Sequence, residues 1–133
     1  MIFSGRITTS IDANYPFGAD LNFDEVDVNI GEAFDGDKFK VPISGIYKFT
    51  FSGRGGTSFT YIAVLINDKA TFHIKDGKLT EGAAKDNFSY TWMMELKAGD
   101  DVKLRARRDL YVNPGGSAQD IGQTFTGELI HID

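Results

Sequence analysis

A chain of 133 residues, 41% hydrophobic and 25% charged, has room for one ordinary core and little for a second, so residues 1–133 are read as a single domain. A net charge of -5 argues against general nucleic-acid binding. Cysteine is absent, which excludes disulfide staples and thiolate metal sites, and no apolar run approaches the roughly 18 residues that insertion into a membrane requires.

Fifteen glycines punctuate the chain, and the pattern between them has the period of strands, not of helices. Met1 stands almost on the first strand, as expected of a mature or excised chain, and no basic region leads into an apolar stretch as a secretory signal would. Ile7, Thr9 and Ile11 alternate on one strand face, and a polar segment with Pro and Gly from Asp12 to Asn22 reads as a loop. From Glu25 to Ile30, valine and isoleucine alternate with polar residues, as on a half-buried strand. The stretch Gly45 to Phe51 puts Tyr47, Phe49 and Phe51 on one face, a strand with a clear inward side.

The segment Phe59 to Ile66 is apolar on both faces, so one face packs inside and the other needs a cover. Phe88, Tyr90, Trp92, Met94 and Leu96 share a face, with Met93 opposite. Ala98 to Asp101 forms a turn into Val102, Leu104 and Ala106. A last strand carries Phe125, Gly127 and Leu129 on one side and Ile130 and Ile132 on the other. The pattern predicts an all-β protein, a jelly-roll β-sandwich of about ten short antiparallel strands.

These strands carry a spaced signature. Phe23 is followed after five residues by Asn29 and after four more by Phe34; Phe39 precedes Gly45-x-Tyr47-x-Phe49-x-Phe51, with Pro42 in the gap. Leu65-x-Asn67, Leu96-x-x-Gly99-Asp100-x-Val102 and Thr124-Phe125-Thr126-Gly127-x-Leu129 follow in order. Together they resemble the C1q globular head, of the C1q/TNF-like superfamily, from Phe3 to the C-terminus. One loop departs from the pattern, because only Asp35 to Lys38 separate Phe34 from Phe39, two residues fewer than usual.

The resemblance implies a secreted homotrimer in which each head packs head-to-tail on the next. Ile62, Val64, Ile66, Met93, Ile130 and Ile132 are apolar where a lone sandwich prefers polar groups, and they are the expected subunit contact. The alternative is that the chain's own loops cover that face. The implied role is an extracellular pattern-recognition or lectin-like module that binds surface glycans, microbial surfaces or other anionic ligands multivalently. The alternatives are a head that engages a protein receptor and a structural trimerisation domain.

No enzyme constellation is present. The chain has two histidines, and His131 falls on the apparent core face of the last strand. Lys103, Arg105 and Arg107 alternate on one strand face, where guanidinium groups are suited to carboxylate or sulfate, and Tyr111 just beyond is placed to stack on a sugar. The competing readings are a plain solvated face, or cations answering the acidic Glu25/Asp27 edge of a neighbour. Some members of the family hold calcium near the trimer axis; Asp86 sits at the matching place, with Asp76 and Glu81 as approximate partners. An acidic loop without metal is the competing reading. Asn87-Phe88-Ser89 is a glycosylation sequon, read as unoccupied.

Overall fold

Period-two alternation becomes a strand wherever one of its faces finds a partner layer. The computed structural model describes residues 1–7, 20–54, 61–75, 87–106 and 123–133, and these form nine strands and no helix. In chain order they are β1 (Ile2–Arg6), β2 (Glu25–Ile30), β3 (Phe39–Lys40), β4 (Gly45–Arg54), β5 (Tyr61–Ile66), β6 (Lys69–Lys75), β7 (Asn87–Leu96), β8 (Asp101–Ala106) and β9 (Thr124–Ile132).

A five-stranded sheet runs β2-β1-β9-β4-β7, and a four-stranded sheet runs β3-β8-β5-β6. Every pairing is antiparallel. From β2 onward the chain changes sheet at every step except between β5 and β6, the crossing pattern of a jelly roll. The first strand begins earlier than Ile7, Thr9 and Ile11 imply. Phe3, Gly5 and Ile7 carry its inward face, while residues 8–19 lie outside the described residues. β6 carries no clean alternation and is entered through a tight turn: Asn67 and Asp68 both sit in the left-handed region, at φ 54° and 66°, and fold β6 back on β5.

Tyr47, Phe49 and Phe51 are completely buried between the sheets, as their spacing predicts. Phe49 packs against both Trp92 and Phe125, with ring centroids 5.5 and 5.8 Å away. Phe3 stacks on Phe34 at 4.3 Å. Phe23 and Phe39 complete this aromatic layer, so the signature residues hold the core together. The Tyr47 hydroxyl donates to the Ile43 carbonyl at 2.6 Å, and burial raises its pKa above the ordinary phenol value.

Two glycines are required by close approach. A Cβ on Gly45 would collide with the carbonyl oxygen of His131, and one on Gly127 would run into the ring of Phe3. Alanine fits at neither place without movement.

The faces of β5 are the reverse of those expected. Ile62 and Val64 are fully buried in the central cluster, and Ile66 is half-buried against it. Ala63 and Leu65 on the opposite face are buried as well. One chain therefore covers both faces of β5, and Ile62, Val64 and Ile66 belong to the subunit's own core. Their apolar character serves folding, not contact with a second copy.

Candidate functional site

The basic stripe of β8 is built as the alternation predicts. Val102 and Leu104 point into the core, while Lys103 and Arg105 point out. Their charges, however, are met within the chain. Arg105 Nε donates to Asp20 at 2.6 Å, and Lys103 Nζ lies 3.2 Å from Asp20 and 2.8 Å from Asp68. Backbone pairing fixes this geometry, since Asp20 bridges to Arg105 and the Leu21 amide donates to the Leu104 carbonyl at 2.9 Å.

The Arg105 hydrogen bond, followed by Lys103, holds the Asp20 carboxyl below its ordinary pKa. The same pairing with Asp68 raises Lys103. Lys103 and Arg105 thus form an ion-pair network that ties Asp20 and the β5–β6 turn to β8 of the four-stranded sheet, not an open cationic surface. Arg107 and Tyr111 lie outside the described residues. So do Asp76, Glu81 and Asp86, the expected calcium ligands, and among the described residues no group of three or more His, Asp or Glu is placed to hold a metal.

The outward face of the five-stranded sheet is organised differently. Its register sets side chains in rows across the strands. One row is Val28, Ser4, Thr126, Thr50 and Thr91; the next is Glu25, Arg6, Thr124, Ser52 and Ser89. The Thr50 and Thr91 hydroxyls pair at 3.0 Å and those of Ser52 and Ser89 at 3.1 Å, so this end of the face is a hydroxyl surface.

Toward the N- and C-termini the character changes. The third row is Ile30, Ile2, Glu128, Lys48 and Met93, and the fourth is His131, Ile46 and Glu95. Ile30 is 61% exposed, Met93 65%, and Ile2, Ile130 and Ile132 are also open to solvent. A shallow groove of about 220 Å³ runs between the two characters, lined by Ile2, Ser4, Val28, Lys48, Thr50, Thr126 and Glu128.

Met93, Ile130 and Ile132 are therefore exposed as expected, and Ile2, Val28 and Ile30 join them. Sequence reasoning missed Val28 and Ile30 because a bulge opposite Ser4/Gly5 breaks the alternation of β2, and Ile2 because the first strand begins before Ile7. Val26 packs toward the core and Val28 faces out, with Asp27 between them bound to Arg6 at 2.8 Å. A second bulge, at Ile46/Tyr47, moves His131. Without it His131 would share the inward face of Leu129; with it His131 stands opposite Ile46, exposed on the outer face. His131 is not a core histidine.

Among the described residues no helix is long and apolar enough to cross a membrane. The globular domain of the zebrafish complement 1qA protein has a similar fold, with a TM-score of 0.75 over 99% of this chain and 98% of that one, at 14% sequence identity. The PRD1 vertex protein P5 is also similar, with a TM-score of 0.61 over 97% and 96% of the two chains, at 15% identity. At these identities the likeness is one of fold. No curated protein matches the sequence. Residues 3–130 match the C1q domain, and the chain belongs to the C1q domain family.

Proposed function

We propose that this chain is an extracellular, non-enzymatic recognition domain that acts as a homotrimer, each copy packing the terminal, apolar end of its five-stranded sheet against the next. Domains of this family generally form trimers and bind ligands or receptors, and they are typical of secreted proteins. The observation that carries the reading is the row of exposed Ile2, Ile30 and Met93 on the outer face of the five-stranded sheet, with the exposed Ile130 and Ile132 of β9 at the same end. Isolated exposed apolar residues need no explanation, but a group of them on a flat face favours burial against a second surface.

The occupant we assign is another copy of this chain. Glu128 and Lys48 stand side by side in the middle of the apolar row, so the face carries both signs and is suited to a rotated copy of itself. Three linked ligand sites then act together, and avidity exceeds that of one site by roughly 10²–10⁴.

Carbohydrate on a surface is the ligand class we assign, with the pairing of Lys103 and Arg105 to Asp20 and Asp68 taking those two cations out of the binding surface. The test is a glycan array probed with the native chain and with an Ile130→Asp, Met93→Asp variant. Saturable binding by the native chain, weakened on the order of a hundredfold in the variant, supports the reading. A blank array with tight capture by a protein receptor replaces the carbohydrate with a protein ligand, and equal binding by both chains removes multivalency.

A further inference from the structure

We propose that the groove on the outer face of the five-stranded sheet holds one neutral sugar residue, gripped by Lys48 and Glu128. The inference rests on the carbohydrate reading above and names the place where that ligand sits. Six side chains form the groove, two rows across three neighbouring strands: Ile2 and Ser4 of β1, Glu128 and Thr126 of β9, Lys48 and Thr50 of β4. Val28 of β2 flanks it beside Ser4. Alternate residues of a strand stand about 7 Å apart and neighbouring strands about 5 Å, so the block is on the scale of one six-membered ring. The volume, about 220 Å³, is below the roughly 300–1,000 Å³ of pockets for drug-sized ligands and suits a single ring.

Lys48 and Glu128 are register partners, yet among the described residues neither side chain takes part in an ion pair. They differ in this from Lys103 and Arg105, whose charges are met within the chain. An ammonium offers only donors and a carboxylate only acceptors, whereas each hydroxyl of a sugar is both. Two adjacent sugar hydroxyls therefore satisfy Lys48 and Glu128 at once, through charge-assisted bonds. The hydroxyls of Ser4 and Thr126, opposite each other in the next row, donate and accept in the same way. Thr50 shares a hydrogen bond with Thr91 at 3.0 Å and keeps capacity for another. Ile2 and Val28, both exposed, present apolar surface to the C–H face of the ring.

The balance of charge decides the class of ligand. One cation and one anion line the groove, so Glu128 opposes a polyanion and Lys48 a polycation. An apolar ligand would cover both charges and give neither a partner. A neutral ring bearing hydroxyls meets the donors, the acceptors and the apolar strip together. The row of Lys48 and Glu128 borders the hydroxyl rows, so the groove lies at the margin of the apolar end, beside the fourth row and not within it.

The experiment is an NMR titration of the full chain with the methyl glycosides of glucose, galactose and mannose, and with serine as a zwitterionic control. A single sugar occupies one site per copy, so its affinity reads the groove without the avidity of the assembly. Expected are saturable shifts of the groove amides with at least one glycoside and none with serine. Glu128→Gln should weaken that binding on the order of tenfold and Thr126→Val about fivefold, with Lys48→Met as the second charge variant should Glu128→Gln lose the native spectrum. Saturable shifts elsewhere, or affinities unchanged in the variants, overturn the groove and leave the carbohydrate reading standing. Serine bound at the same residues overturns the sugar as its ligand. No response to any glycoside also overturns the groove; the glycan array then separates the two claims, since array binding keeps the carbohydrate reading and a blank array removes it too.

Discussion

The side-chain amide of Asn29 brackets the backbone of Phe34 from both sides. Its Nδ2 donates to the Phe34 carbonyl at 2.9 Å, and its Oδ1 accepts the Phe34 amide at 3.3 Å. Asn29 leaves β2 toward the core, where a strand residue would ordinarily be apolar. Phe34 is thereby fixed with its ring on Phe3, and the short turn from Asp35 to Lys38 is closed beneath it by the Asp35 carboxylate, which accepts the Asp37 and Lys38 amides at 2.8 and 2.9 Å.

Asn29→Asp tests this bracket. A carboxylate still accepts from the Phe34 amide but cannot donate to its carbonyl, and it brings a charge toward an oxygen dipole. The expected loss is about 1–3 kcal/mol of folding stability, read from denaturant titration. A change below a few tenths would show that the bracket is ornamental.

Gly45 and Gly127 should resist alanine for different reasons. At Gly127 the obstacle is the Phe3 ring, which can shift; at Gly45 it is the backbone carbonyl of His131, which cannot shift without disturbing the β4–β9 ladder. Gly127→Ala should cost about 1–3 kcal/mol, and Gly45→Ala more than that. Thermal melting of the two variants side by side checks the order.

The two groups of apolar residues predict opposite phenotypes. Ile62→Ala opens the central cluster and should cost about 2–5 kcal/mol of folding stability. Ile130→Ser removes an exposed side chain, so folding of the dilute chain should stay within about 0.5 kcal/mol of the native value while association weakens. Ile62→Ala with an unaffected fold, or Ile130→Ser with unaffected association, contradicts the assignment of faces.

Asp20, Asp68 and Asp100 give the fold a defined acid sensitivity. Asp20 is lowered chiefly by its hydrogen bond to Arg105, Asp68 by that to Lys103, and Asp100 by that from Asn67. Each binds fewer protons folded than unfolded. Their contribution is complete above about pH 4, the ordinary carboxylate pKa of the unfolded chain, and is lost as pH falls through their lower folded values. For Asp20, half-exposed and screened, it amounts to about 0.5–1 kcal/mol. Asp20→Asn should lower the melting temperature slightly near neutrality and flatten its fall below about pH 4.

How much of this was legible in the chain depends on what set each feature. Tyr47, Phe49 and Phe51 were readable because a long central strand keeps strict alternation and its inward face is uniformly aromatic. β5 was readable as a strand but not as to its faces, since Ile62 and Val64 alternate with the equally apolar Ala63 and Leu65. His131 and Val28 were misread for one reason: a bulge inserts one residue into a period of two and inverts every side chain beyond it. Asp20 and Asp68 are distant in sequence from Lys103, and only the pairing of Asp20 with Arg105 and the β5–β6 turn brings them together.

The central claim is that the terminal end of the five-stranded sheet is a contact between copies. Light scattering of the purified chain at micromolar concentration and neutral pH tests it most directly. The expected mass is about 44 kDa, three copies of the 14.7 kDa chain, falling to that of one copy in Ile130→Asp, Met93→Asp. A native chain that scatters as one copy contradicts it, and so does a trimer indifferent to those two changes.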